Sequence, residues 1–179
     1  MLVILKNVMN DLYARDTSNK IRAVKQSTFK AGKYVGCYAP IGYLKSPADK
    51  HVLVIDPVTA PVVTRIFDLR CQGYSYRKIA TTLNAESVPT PTTFYYMRQD
   101  KPNIRKDGDF WAPPTVKAIL RNEVYLGHMV QNKTGNVSYK VHKQITKPES
   151  EWIRVENTHE PLISRETWDL VRELDARKA

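Results

Sequence analysis

Apolar residues at Leu5, Val8, Met9 and Leu12 recur at intervals of three and four, and no Gly or Pro follows them until Gly32. That spacing predicts one helix over roughly residues 5–30, about 39 Å long at 1.5 Å per residue. Its first half carries an apolar stripe, and its second half aligns Arg15, Ser18, Arg22 and Lys25 on one face. The stripe packs either on the rest of this chain or on a domain or partner helix outside it. From Gly32 to Tyr43 three glycines and a proline disfavour helix, so an extended arm is expected there. Asp56-Pro57 then reads as an N-cap with a first-turn proline, leading an apolar face of Val58, Val62, Val63, Ile66 and Phe67. Gly73 is placed to close that helix and Ser75 to cap the next, whose Ile79, Ala80 and Leu83 face a core.

Two segments together have the pattern of a helix-turn-helix pulled apart at its turn. Tyr76–Asn84 reads as the supporting helix and Thr115–Arg121 as the helix that enters a major groove; an insertion of roughly thirty residues separates them where such motifs have a short turn. The insertion holds Thr90-Pro91-Thr92, Tyr95-Tyr96, Arg98, Lys101, Arg105 and Lys106 ahead of Trp111. Past Gly127 the period shortens. His128–Gln131 and Val137–Val141 predict strands around a Thr134–Asn136 turn, Trp152–Val155 a third strand, and Ser164 the cap of a last helix bearing Trp168, Val171 and Leu174. The expected fold is mainly α with a small antiparallel sheet (α+β). Its parts are a connecting helix (1–31), an arm or linker (32–46) and a domain (47–179). Within that domain a helix-turn-helix-like core spans about 57–126, and a hairpin region with the C-terminal helix spans about 127–179.

Charge sharpens the functional reading because it is segregated. Lys and Arg outnumber Asp and Glu by eight to two over residues 1–46, six to five over 47–100 and nine to three over 101–147, whereas residues 148–179 have five against eight. Two basic blocks in a chain of net charge +10 suit a long polyanion better than a small ligand. A membrane surface is a poorer fit, since the basic stretches lack apolar stripes with Trp or Phe, and Met1–Leu5 is too short for a spanning helix or signal segment. A cytoplasmic protein is expected.

The residues expected to touch double-stranded DNA follow from these placements. Arg15, Arg22 and Lys25 lie on the long helix; Lys30, Lys33, Tyr38 and Tyr43 lie on or beside the arm; Arg105 and Lys106 lie in the insertion; Thr115, Lys117 and Arg121 lie on the reading helix. Lys45 also stands beside the arm. The arm's small residues permit close approach in a minor groove, and a plain interdomain linker is its alternative. Cys37 and Cys71 form no C-x-x-C, and His51, His128, His142 and His159 form no H-x-x-x-H pair, so neither a metal nor a cofactor is expected. Ser18, Ser27, Ser75 and Ser164 have helix-facing or capping explanations. None of the ten tyrosines is singled out by an Arg/His constellation.

Several strings taken together resemble a large serine recombinase of the type found in conjugative or mobilisable transposons. They are Asp16–Arg22, Pro40-Ile41-Gly42-Tyr43, Ile55-Asp56-Pro57 leading to Ile66-Phe67, Gly73 with Ile79-Ala80 and Leu83-Asn84, Trp111, and Ile119–Asn122 with Tyr125-Leu126-Gly127. The resemblance covers nearly the whole chain. It implies a connecting helix and a recombinase DNA-binding domain that recognises an attachment site or transposon end. It also implies that a serine-bearing catalytic domain and a zinc ribbon belong to the parent protein outside this chain, with the catalytic domain in cis and further recombinase protomers as partners. By that reading the fragment itself is non-catalytic. Where the family's arm tends to carry an aromatic residue, this chain has Ile41. Two alternatives are a stand-alone helix-turn-helix transcriptional regulator and an enzyme acting alone on DNA.

Overall fold

The computed structural model describes residues 2–102, 110–138, 140–141 and 143–177. In chain order these form α1 (Leu2–Lys30), β1 (Tyr43–Lys45), β2 (Leu53–Ile55), α2 (Ala60–Cys71), α3 (Tyr76–Ala85), α4 (Pro91–Met97), α5 (Pro113–Leu120), β3 (Met129–Gln131), β4 (Thr134–Asn136), β5 (Gln144–Thr146), β6 (Ile153–Val155) and α6 (Arg165–Ala176). One-turn 3-10 helices at Glu123–Leu126 and Glu149–Glu151 precede β3 and β6. The expected α+β class holds, but the strands make three separate antiparallel pairs, β1 with β2, β3 with β6 and β4 with β5.

Four helices supply most of the core. Val63, Ile66 and Phe67 of α2, Ile79, Ala80 and Leu83 of α3, Val116, Ile119 and Leu120 of α5, and Trp168 and Val171 of α6 are all buried. The apolar spacings read from the sequence therefore place these faces. α2 packs on α6 and α3 on α5, and Phe67 and Trp168 stack with ring centroids 6.1 Å apart. Between α2 and α3, Gly73 adopts φ +86°. Its N–H reaches Arg70 O at 2.9 Å while the Tyr74 N–H reaches Leu69 O at 3.1 Å, the paired bonds of a Schellman stop. Ser75 and Ser164 cap α3 and α6 by accepting from Lys78 N and Thr167 N.

Four local expectations are corrected. α2 begins at Ala60, with Thr59 as N-cap residue, and not at Asp56-Pro57. Asp56 instead organises the preceding turn through Val58 N and the Thr59 hydroxyl, which leaves Pro61 in the first helical turn, where a missing N–H removes no helical bond. The insertion is not a loop throughout, because Thr90 accepts from Thr93 N and starts the seven-residue α4 with Pro91 in its first turn. Thr134–Asn136, expected as a turn, is strand β4, paired with Gln144–Thr146. The reversal before it falls at Asn132, which takes φ +63°. Val137 and Ser138 consequently lead into the hairpin's end, where Ser138 N donates to Val141 O at 3.3 Å; Tyr139 of that expected strand lies outside the described residues. Finally, β1 and β2 form a hairpin that begins inside the segment assigned to the arm or linker.

The insertion is closed by side chains. Trp111 N donates to Asn84 Oδ1 at 2.7 Å, Asn84 Nδ2 donates to Trp111 O at 3.0 Å, and the indole Nε1 donates to Val88 O at 2.9 Å. The Trp111 ring itself is 3 % exposed. Asn84 at the end of α3 thus holds the residue two positions ahead of α5, and the spacing of the two helices is set by these bonds.

Two outcomes follow. Asn84→Ala leaves a half-buried N–H and C=O without their partner, and is expected to lower unfolding free energy by about 1–3 kcal/mol in a denaturant titration; an unchanged midpoint would assign closure to the indole alone. The second concerns pH. Burial opposes ionisation of Asp56, but hydrogen bonds from Thr59 and Arg98 outweigh it and hold the carboxyl below its usual range. Burial also pushes the His159 imidazole down. In both cases the unfolded chain binds protons that the folded chain refuses, so stability is present above the unfolded pKa and lost as pH falls through the folded one. Melting temperature should start to fall below about pH 6.5 through His159 and again below about pH 4 through Asp56. Asp56→Asn should remove part of the acid limb only.

Candidate nucleic-acid interface

α5 turns Val116, Ile119 and Leu120 into the core and leaves Pro114, Lys117 and Ala118 exposed, with Arg121 next along the same stripe. These positions are three and four apart, so they share one face. Lys117 has no salt bridge among the described residues, and Thr115 is half-buried beside the stripe. The helix N-terminus offers no ready anion site. Pro113 and Pro114 lack N–H groups, and the N–H groups of Thr115 and Val116 both return to Ala112 O, at 3.0 and 3.2 Å. Any contact this helix makes with a polyanion must come from side chains.

At the other end of α5, Arg121 meets α6. Its Nε lies 3.6 Å from Asp175 Oδ2. Asp175 Oδ1 is already taken by Arg70, with Nε at 3.1 Å and Nη2 at 2.9 Å. Arg70 is 2 % exposed, spends Nη1 on Tyr74 O and lies over the Tyr76 ring. Burial works against the Asp175 charge, yet the Tyr76 hydroxyl and the guanidinium groups of Arg70 and Arg121 outweigh it and keep the carboxyl below its usual range. Arg121 is therefore not a loose surface cation; half its surface is open and its base is tied to a buried acid.

The segment after α1 lies against the domain. Tyr34 N donates to His51 O at 2.8 Å, and Gln131 Nε2 donates to Lys33 O at 2.9 Å. The Tyr34 hydroxyl donates to Tyr38 O, and Lys45 Nζ to Cys37 O at 2.8 Å. Tyr34, Ala39 and Ile41 pack on the core, so this is not an arm standing clear of it. Tyr38 remains exposed and meets Tyr95 of α4 edge-on, with centroids 4.5 Å apart. Tyr43, named as a candidate DNA contact, is 2 % exposed. Its hydroxyl donates to Glu160 O at 2.9 Å, and its ring stacks on Tyr125. That burial leaves it nothing to offer a duplex and makes it the anchor of the segment.

Gly42 fixes how the segment enters the domain. It has φ +91°, and an added Cβ would sit 2.7 Å from Leu162 Cδ1 and 3.0 Å from Val63 Cγ2. Its N–H donates to Thr59 Oγ1 at 2.9 Å and its carbonyl accepts from Asp56 N at 3.0 Å. Asp56, 1 % exposed, is in turn ion-paired with Arg98 at the end of α4. Arm, α2 and insertion are thereby joined at one buried carboxylate. Between arm and α4 lies a cavity of about 620 Å³ bordered by Tyr38, Ile41, Phe94, Tyr95 and Arg98.

Arg15, Arg22, Lys25, Lys30 and Lys33 are all exposed, and none is in a salt bridge among the described residues. Arg105 and Lys106 lie outside the described residues. Val8, Met9 and Leu12 of α1 are 50 %, 60 % and 54 % exposed, so the apolar stripe has not been covered by this chain. α1 is held near its C-terminal end, where it meets β6, and by an ion pair of Asp11 with Lys140 at 2.9 Å. Sequence reasoning missed the Asp56–Arg98 and Arg70–Asp175 pairs. The Thr90-Pro91 start signal of α4 was legible, but no periodicity joins partners so far apart in the chain.

Residues 57–177 match the family model Recombinase. Among solved structures, the chain is similar to one described as a crystal structure of an LSR–DNA complex, with 17 % identity and a TM-score of 0.54. It is also similar to one described by the sequence requirements of the Listeria innocua prophage attP site, with 16 % identity and a TM-score of 0.53. Each match covers 88 % of this chain, which spans 38 % of the first relative and 52 % of the second. At such identities the likeness is one of fold, and it is the family model, over about two thirds of the chain, that decides membership. The chain belongs to the Recombinase family, in keeping with the large serine recombinase that its motifs resemble.

Proposed function

We propose that this chain is the double-stranded DNA-reading part of a site-specific serine recombinase and binds one half of an attachment site or transposon end. The observation that carries this reading is the exposed Pro114–Lys117–Ala118–Arg121 face of α5, packed on α3 as the second helix of a helix-turn-helix within a Recombinase-family domain. α5 enters the major groove, with Lys117 and Arg121 at base edges and Thr115 at the margin. Arg15, Arg22, Lys25, Lys30 and Lys33, together with Arg105 and Lys106, neutralise phosphates, and Tyr38 lies beside the backbone. The description of one relative as an LSR–DNA complex supports the same ligand.

Catalysis belongs to a domain joined in cis through α1, and sister protomers complete the assembly. The uncovered Val8, Met9 and Leu12 give α1 a surface for such a partner. Ser75 and Ser164 are engaged as helix caps. No helix among the described residues is long and apolar enough to cross a membrane, and no group of His, Cys, Asp and Glu among them has metal-site geometry. The proposed setting is the bacterial cytoplasm, at DNA.

If six to ten phosphates are neutralised, log affinity against log salt should fall with a slope of about −5 to −9. Fluorescence anisotropy with a labelled duplex across a salt series measures it, and an affinity indifferent to salt sinks the proposal. Reading and clamping should separate by substitution. Lys117→Ala is expected to cost about 1–3 kcal/mol on the preferred sequence and to relax preference at particular bases, whereas Arg22→Ala and Lys25→Ala weaken all sequences alike. Equal proportional losses on preferred and random DNA for all three variants would remove α5 as the reading helix.

A further inference from the structure

Arg121 faces two ways. It sits one residue past α5 on the exposed stripe, yet its Nε approaches Asp175 Oδ2 at 3.6 Å. Asp175 does not require this second cation for charge balance, because Arg70, almost fully buried, already pairs with Oδ1 through two nitrogens. Oδ2 is buried and makes no hydrogen bond of its own. A buried carboxylate oxygen left this way attracts any cation within reach and restricts where that cation can stand. Besides Arg70, the cation beside it is Arg121, whose side chain is 48 % exposed, and the Tyr76 hydroxyl stands next to both Asp175 and Arg121.

We infer that Asp175 is a positioning residue that sets the Arg121 guanidinium for bidentate reading of a guanine at the C-terminal end of α5. The inference rests on the DNA-reading role proposed above. Arg121 Nε approaches Asp175 and the Tyr76 hydroxyl stands beside the same guanidinium, so the side chain is held from the α6 side while 48 % of it stays open to a ligand. An arginine reads guanine by two parallel hydrogen bonds to O6 and N7, a geometry that a freely rotating side chain reaches only by losing rotamer entropy on binding. Holding the guanidinium stem from behind reduces that loss for one orientation. Asp175 belongs to α6, 54 residues on from Arg121 in sequence. α6 thereby contributes to sequence preference without reaching the duplex itself.

The test is a double-mutant cycle on the whole chain, with a duplex selected by the wild-type chain from a randomised library and a scrambled duplex of the same base composition. D175N is expected to lower the selected-to-scrambled affinity ratio about tenfold, as loss of one well-placed base contact does, with the loss confined to a G·C pair and binding to the scrambled duplex not weakened. In the R121Q background D175N should add nothing to that ratio. An equal loss in both backgrounds would show that Asp175 acts only through the fold and Arg70, and overturns the inference, as does a ratio that D175N leaves unchanged. Because Asp175 also partners buried Arg70, D175N can fail to fold, and R121K then decides. Lysine keeps the charge but has no Nε to hold, so it should lose as much preference as R121Q; a wild-type ratio in R121K overturns the proposal. Failure of the DNA-reading role itself looks different, since the wild-type chain would then select no sequence and K117A would change nothing.

Discussion

The two hydrogen bonds exchanged by Asn84 and Trp111 are the constraint on which the helix-turn-helix geometry rests. In an ordinary motif a turn of a few residues dictates where the second helix can lie. Here residues 86–112 intervene, and a connection of that length imposes almost no geometry of its own, since closure entropy grows only slowly with loop length. Side chains have to supply what the backbone no longer does. Asn84 binds both backbone polar groups of Trp111, and the indole is buried with its N–H on Val88 O. The chain leaves α3, makes α4, and returns to a point fixed relative to α3 whatever path the insertion takes.

Buried carboxylates do the same at two other junctions. Asp56 joins the turn before α2 to the end of α4, and the same turn holds Gly42 at the arm's end through Thr59. Asp175 joins α6 to α2 and to the end of α5. Ion pairs of this kind add little net stability over a well-packed apolar cluster, but removing one partner leaves an uncompensated charge and is strongly destabilising. Their effect here is positional. Apolar faces can slide by a fraction of a turn at small cost, whereas an arginine placed on a carboxylate cannot, so α5 is fixed at its entry by Trp111 and at its exit by Arg121.

The sequence exposes this fold unevenly, and the reason is range. α2, α3, α5 and α6 each announce themselves by apolar residues three and four apart, and their caps at Ser75, Gly73 and Ser164 are local chemistry. Asp56-Pro57 satisfies a capping pattern that Thr59-Ala60 does not, so the pattern places the start of α2 too early, while the structure uses Asp56 for Thr59 and Arg98. Thr134-Gly135-Asn136 has turn composition; what makes it strand β4 is pairing with Gln144–Thr146, which no local pattern records. The candidate interface is legible as residue types on helix faces, including Lys117, which is exposed on α5. The burial of Tyr43 and the tethering of Arg121 are not, because both depend on residues more than fifty positions away.

Phosphate binding and base reading place different demands on a scaffold, and the proposed DNA-reading role assigns them to different parts of the molecule. Arg15, Arg22 and Lys25 project from α1, a helix of 29 residues held where it meets β6 and by the exposed Asp11–Lys140 ion pair. Long cationic side chains tolerate that latitude, because attraction to a line of phosphates varies slowly with position. Base edges do not tolerate it, since a bidentate contact is lost once the groups stray beyond about 0.5 Å. α5 is accordingly the short helix fixed at both ends, and its two N-terminal prolines leave it without the spare N–H donors that would dock it on a phosphate in any register. A helix that cannot settle by its backbone has to settle by its side chains, and under the proposed role that favours sequence over mere charge.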